Sequence, residues 1–262
     1  MGNEPVLWNV DARGVATVTL NRPEVNNAYD AALIQGLHDA MDALGPQVRA
    51  LLLQGAGRHF QAGADLKWIR DVAAQSREEN EHASRATALA VHRLNTLPLP
   101  TVALVQGGCF GGGTGIVAAC DIVIAADDAM FSIAETRWGL TAAIILPQLA
   151  DAIGARQVRR YALTGERFDA REARRIGLVH EVVPAAELRA AGEKAISQLL
   201  QNAPEANAQT KVAALEFAWG TVEERVLERL VSQHAAKRRS REAAEGLASF
   251  AEKRPARWPV AK

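Results

Sequence analysis

The 262-residue chain is poor in the features that mark several functional classes. Its two cysteines, Cys109 and Cys120, are too few for a disulfide framework, which points to a reducing, cytoplasmic setting. Neither charge is in excess. The 30 Lys plus Arg offset 30 Asp plus Glu, so nothing draws the whole molecule to nucleic acid or to an anionic membrane. No apolar run approaches the roughly 18 residues of a membrane span, and the longest candidate, residues 116–126, is broken by Asp121. Residues 1–14 lack the charged-then-apolar pattern of a secretory signal, and Val6 stands where a myristoylation signal needs Ser or Thr. The six histidines are scattered, with no His-Glu-x-x-His and no Cys-x-x-Cys, so no metal is expected.

Nucleotide fingerprints are also missing, although residues 107–115 hold six glycines. Read from Gly111 and Gly113, the dinucleotide pattern needs a glycine where Ile116 stands. Read from Gly113 and Gly115, it needs one at Ala118. A phosphate-binding loop from Gly108 and Gly113 would need lysine at Thr114. No Gly-x-Ser-x-Gly elbow exists.

What is there is an α/β pattern. Two apolar runs, Val6–Val10 and Val15–Leu20, joined by Asp11-Ala12-Arg13-Gly14, predict a β-hairpin. Asp30 caps a helix whose apolar positions Leu33, Ile34, Leu37, Met41 and Leu44 follow the helical period, ended by Gly45-Pro46. Buried strands are predicted at 48–53, 101–105, 122–126 and 178–183, with helix from about 66 to 95 and from 116 to 120. Asp169 caps a further helix that stops at Gly177. Beyond about residue 187 strand signals vanish, and Ala, Glu and Arg dominate. The chain divides into a catalytic body, 1–195, and a helical C-terminal subdomain, 196–262. The basic cluster Lys237-Arg238-Arg239-Ser240-Arg241 reads as a solvated helix face.

Two glycine-bearing loops follow buried strands: residues 57–66 and 107–115. Glycine lets backbone N–H groups approach a ligand closely, and a helix N-terminus adds free N–H groups. Two readings fit these loops equally. They place two donors on one oxygen, as an oxyanion hole, or they pack strand tightly against helix.

Asn21-Arg22-Pro23-Glu24, residues 57–67, residues 105–121, and Leu163-Thr164-Gly165 followed by Ala173 and Gly177-Leu178-Val179 together resemble the enoyl-CoA hydratase/isomerase (crotonase) family in order and spacing. Phe250-Ala251-Glu252-Lys253-Arg254-Pro255 is similar to that family's tail. The resemblance implies a superhelix of strand–strand–helix turns with a helical C-terminal trimerisation region, assembled as a homotrimer or a dimer of trimers. It implies an acyl-CoA thioester as substrate and no cofactor beyond the coenzyme A that the substrate carries. The thioester oxygen would sit between the N–H groups of Ala64 and Gly112. Ala62, Gly63, Asp65, Leu66 and Lys67 would line the pantetheine and adenine region, and Gly111 belongs with the substrate-binding residues. Arg22, Lys67 and, from a neighbouring subunit, Phe250 and Lys253 would serve the nucleotide end. Asp65 also reads as the cap of the following helix, and Trp138 as a wall of the acyl pocket.

Family members share the two amides and differ in acid/base groups. Hydratases of the two-glutamate type carry their first glutamate where this chain has Gly115. Their second matches Glu135, at the end of Phe131-Ser132-Ile133-Ala134-Glu135. Isomerases that move a double bond between the Δ3 and Δ2 positions resemble this chain in using a single glutamate at the Glu135 position. Hydratases of branched glutaconyl-CoA type also resemble it, through Gly113-Thr114-Gly115, Cys120-Asp121, Gly57-Arg58-His59-Phe60 and Lys67-Trp68. A hydratase on a branched or carboxylated enoyl-CoA is the favoured reading, with Glu135 as general acid and base. The isomerase is the first alternative, and a non-catalytic acyl-CoA-binding protein the second. The dehalogenase branch is disfavoured, since it needs a carboxylate at Ala143 and a tryptophan at Glu135.

Overall fold

A computed structural model describes residues 4–217, 241–254 and 256–258. Val6–Val10 (β1) and Val15–Leu20 (β2) form the expected antiparallel hairpin, with Val6 opposite Leu20. Ala50–Gly55 (β3), Thr101–Val105 (β4), Ile122–Ala126 (β6) and Glu181–Val183 (β9) extend it into a six-stranded sheet of order β1-β2-β3-β4-β6-β9, parallel after the first pair. Gly108–Phe110 (β5), Met130–Ser132 (β7) and Phe168–Asp169 (β8) make a second sheet of order β5-β7-β8.

The central strands are mostly apolar because both faces of the large sheet are covered. Side chains alternate between two cores. Leu51, Leu53, Ala103, Val105, Val123 and Ala125 face one. Ala50, Leu52, Val102, Leu104, Ile124 and Ala126 face the other. On the first face lies Ala31–Asp42 (α1), which starts where the Asp30 carboxylate accepts the Leu33 N–H and buries Leu33, Ile34, Leu37 and Met41. Each of these side chains contributes about 1.5–3 kcal/mol. On the second face lies Leu188–Leu200 (α7), buried through Leu188, Ala191, Ile196 and Leu200.

Three chain turns repeat one plan. β3 leads to Gln61, which pairs with Cys109 in a parallel bridge. From there the chain runs into Leu66–Ala73 (α2) and Arg77–Thr96 (α3). β4 leads to β5 and then Gly112–Ala118 (α4). β6 leads to β7, a short 3-10 turn at Glu135–Trp138, and Leu146–Thr164 (α5). The fold is thus mixed α/β, built of strand–strand–helix turns. Ala170–Ile176 (α6), capped by Asp169 and stopped by Gly177 at φ 97°, follows as expected. Pro204–Phe217 (α8) and Arg241–Ala251 (α9) lie in the C-terminal region.

Four differences from the sequence reading have local causes. The helix expected over 66–95 is two, because Ser76 and Glu79 form a capping box that starts α3 afresh. The helix expected at 116–120 begins earlier, at Gly112. Leu178 and Val179 are buried in the turn after α6, where their N–H groups both reach the Ala173 carbonyl, so β9 is shorter than 178–183. Residue 195, placed as the end of the body, falls inside α7, whose buried face stays on the sheet to Leu200. Asp121 is structural. Its Oδ2 accepts from Thr101 N–H at 2.7 Å, Thr101 Oγ1 at 2.8 Å and the buried Lys211 Nζ at 2.8 Å, which ties α8 to the sheet. Of the basic cluster, only Arg241 lies within the described residues.

Candidate active site

The two glycine loops meet because the bridge between Gln61 and Cys109 zips them together. Gln61 N–H donates to Gly108 O at 3.1 Å, and Phe110 N–H donates to Gln61 O at 2.9 Å. Past the bridge both chains turn at glycines with positive φ, Gly63 at 91° and Gly111 at 51°. A side chain at Gly63 would place a Cβ 3.2 Å from Phe110 O. The close approach of the loops therefore requires glycine there.

The first loop is gripped from outside. Tyr29 N–H donates to Gly63 O at 2.9 Å, and Asp65 N–H donates to Tyr29 O at 2.8 Å. In such a parallel bridge the residue between, Ala64, points its own N–H the other way. That N–H makes no bond with any described residue. Gly112 is the first residue of α4, so its N–H has no partner in the helix. Both amides line one cavity of about 540 Å³.

β7 and the 3-10 turn after it deliver Glu135 to the same cavity. Glu135 Oε1 lies 3.2 Å from where a Cβ on Gly111 would be, and its Oε2 is buried without a hydrogen-bond partner. Burial raises its pKa above the ordinary carboxylate value. Glu135 is the only charged side chain lining the cavity among the described residues. The remaining walls are uncharged and mostly apolar, with Asn80, Ser84, Thr87 and Thr141 as polar exceptions, and come largely from α1, α2, α3, β3 and the segment 140–145.

Of the residues singled out from sequence, Glu135, Ala64, Gly112, Ala62, Gly63, Leu66, Gly111 and Trp138 all line this cavity. Trp138 is 64% exposed, at the rim. Asp65, Arg22, Lys67 and Lys253 do not line it. The Asp65 carboxylate caps α2, accepting from Lys67 N–H at 2.9 Å and Trp68 N–H at 3.4 Å. Arg22 is held beside Asp30 at 3.0 Å and Asp65 at 3.5 Å, and donates to Ala28 O at 2.6 Å. Its guanidinium thus joins the caps of α1 and α2. Lys67 and Lys253 are exposed, and the Phe250 side chain lies outside the described residues.

Two cavity residues escaped the sequence reading. Ile145 occupies the place of a side chain at 115. A Cβ on Gly115 would lie 2.2 Å from Ile145 Cγ2 and 2.5 Å from Ile145 Cβ. A glutamate there has no room, so the missing carboxylate is also sterically excluded. Tyr29 packs its ring against Gly112 and edge-on to Trp68 at 5.7 Å between centroids. Burial, and secondarily the charge of Glu135, push its pKa up to about 12. No local pattern marks Tyr29, since its partners lie far along the chain. Among the described residues no group of three or more His, Cys, Asp or Glu could hold a metal. No helix there is long and apolar enough to cross a membrane.

The sequence model of the enoyl-CoA hydratase/isomerase family matches residues 11–260. A putative enoyl-CoA hydratase of Thermus thermophilus is 34% identical over 255 residues, covering 96% of this chain and all of the relative. The hydroxycinnamoyl-CoA hydratase-lyase of Pseudomonas fluorescens is 38% identical over 196 residues, 73% of this chain and 71% of that protein. The crystal structure of an enoyl-CoA hydratase from Shewanella pealeana superposes with a TM-score of 0.93 at 35% identity, over 97% of this chain and 96% of the other. This chain therefore belongs to the enoyl-CoA hydratase/isomerase (crotonase) family.

Proposed function

We propose that the chain is an enoyl-CoA hydratase acting on an apolar acyl group, with Ala64 and Gly112 as the oxyanion hole and Glu135 as its acid and base. The observation that carries this reading is one half-buried carboxylate, with a buried and unpartnered oxygen, beside two free amides in an otherwise uncharged cavity.

The thioester oxygen accepts hydrogen bonds from the Ala64 and Gly112 N–H groups. Glu135 takes a proton from water as the water oxygen bonds to the β-carbon. The electron pair of the double bond moves through the α-carbon to the thioester oxygen, where the two amides hold the enolate. Glu135 then returns the proton to the α-carbon, and the carbonyl re-forms. The carboxylate ends as it began, so one such group suffices for a complete cycle. The raised pKa suits it to holding the proton in transit.

The cavity supports a chain that is branched rather than carboxylated. It extends between α1, α3 and β3, where Leu33, Leu37, Met41, Leu53, Val91 and Leu94 line it. A distal carboxylate would meet no cationic side chain among the described lining residues, an unfavourable burial. The second reading is a double-bond isomerase. It is favoured by the packing of Ile145 over Gly115, which leaves a single carboxylate able to move a proton between two carbons.

Incubation with branched and straight enoyl-CoA thioesters in heavy water separates the two. A hydratase yields a product heavier by one water, with deuterium at the α-carbon. A product with a shifted double bond and no added water assigns the isomerase. No reaction across the panel refutes both.

A further inference from the structure

Adding water to a double bond sets two tasks. The water must lose a proton, and it must be held on the correct face while it does so. Glu135 answers the first. With Gly115 lacking a side chain and Ile145 filling that space, no carboxylate is left for the second.

Tyr29 stands beside the reacting centre. Its backbone is fixed by the two hydrogen bonds that grip Ala64. Its ring lies against the other amide: a Cβ on Gly112 would be 2.5 Å from Tyr29 Cε1 and 3.3 Å from Tyr29 Oη. Glu135 Oε1 lies 3.2 Å from the corresponding position on the adjacent residue, Gly111. Both oxygens therefore sit over neighbouring residues of one loop. Both side chains line the cavity, and Tyr29 Oη has no hydrogen-bond partner among the described residues. A tyrosine this enclosed ordinarily finds a partner for its hydroxyl.

We propose that Tyr29 Oη holds the attacking water against Glu135, in place of a second carboxylate. The proposal rests on the hydratase reading. One proton of the water is donated to Tyr29 Oη as a hydrogen bond, while the other passes to Glu135. The phenol keeps its own proton throughout, as the upward displacement of its pKa requires at neutral pH. Its ring contact with Gly112 ties the position of the water to that of the oxyanion.

The test is Tyr29→Phe in the full-length enzyme. The substitution keeps the ring and the backbone bonds to Gly63 and Asp65. Two reactions are followed: hydration of an enoyl-CoA, and solvent exchange of the α-hydrogen of a saturated acyl-CoA in heavy water. Exchange needs the amides and Glu135 but no added water. Hydration kcat is expected to fall about 10- to 100-fold, the effect of one hydrogen bond to a reacting group. KM and the exchange rate should stay within about threefold of the unaltered enzyme.

Unchanged hydration in Tyr29→Phe overturns the proposal. So does an equal loss of hydration and exchange, which would make the ring a prop for the Gly112 amide. If the unaltered enzyme exchanges or isomerises but never hydrates, the hydratase reading itself fails. That outcome is visible without any variant.

Discussion

If Ile145 fills the space of a side chain at 115, the effect of adding a methyl group to Gly115 must depend on what stands at 145. Gly115 lies inside α4, where alanine is favoured over glycine by about 1 kcal/mol. Against this stands the collision with Ile145, whose Cγ2 and Cβ lie 2.2 and 2.5 Å from the new Cβ. Overpacking of this kind costs about 1–3 kcal/mol. Gly115→Ala alone should therefore be neutral to destabilising, by about 0–2 kcal/mol. In an Ile145→Ala background the nearer contact is gone but the Cβ at 2.5 Å remains, so relief is partial. In an Ile145→Gly background both are gone, and Gly115→Ala should stabilise by about 1 kcal/mol. The sign of one substitution thus reverses with the residue facing it, a coupling of about 1–3 kcal/mol. Urea unfolding of the six proteins, with m-values checked for constancy, measures it. An effect of Gly115→Ala that is the same in all three backgrounds refutes the packing argument, and with it the steric exclusion of a second carboxylate.

Three further outcomes are expected. Glu135→Gln should lower hydration about 10²–10⁴-fold while acyl-CoA still binds. Because burial raises the Glu135 pKa, the fold is disfavoured by its ionisation as pH rises through that value. The variant should melt higher than the parent at neutral pH and match it below the ordinary carboxylate range, and a parent that is equally stable at neutral pH would contradict the burial of that charge. Light scattering should give three or six times the 28.1 kDa chain mass, as the family resemblance implies; a monomer at micromolar concentration would refute it.

Local rules made a good part of this molecule legible. The β1–β2 hairpin, the Asp30 cap of α1 and the α6 unit between Asp169 and Gly177 each announce themselves within a dozen residues or so. The strands of the large sheet show as apolar runs because both faces are covered. The small sheet does not show, since strands of two or three residues carry no periodicity. α5 escaped because Gly154, at φ 73°, interrupts it and its apolar positions are sparse. At the site, the family pattern identified the loops and Glu135, while composition alone left oxyanion hole and packing equally open. Geometry brings in Tyr29 and Ile145, which act across long sequence separations. It also shows the Asp65 carboxylate capping α2, as the sequence suggested, with Arg22 held between that cap and Asp30.

The parallel ladder from Gln61 to Cys109 to Phe131 has a consequence for how such a protein can change. Each rung sets adjacent strands about 4.8 Å apart, so three exits of the chain, ending at Ala64, Gly112 and Glu135, are brought side by side by main-chain pairing alone. The two amides proposed as the oxyanion hole are themselves main chain, and only a substitution to proline deletes one of them. The groups proposed to choose the reaction are the side chains of Tyr29, Glu135 and Ile145 and the lack of one at Gly115, spread over different turns. Inheritance can therefore revise the proton chemistry one position at a time while the thioester stays bound in the same place.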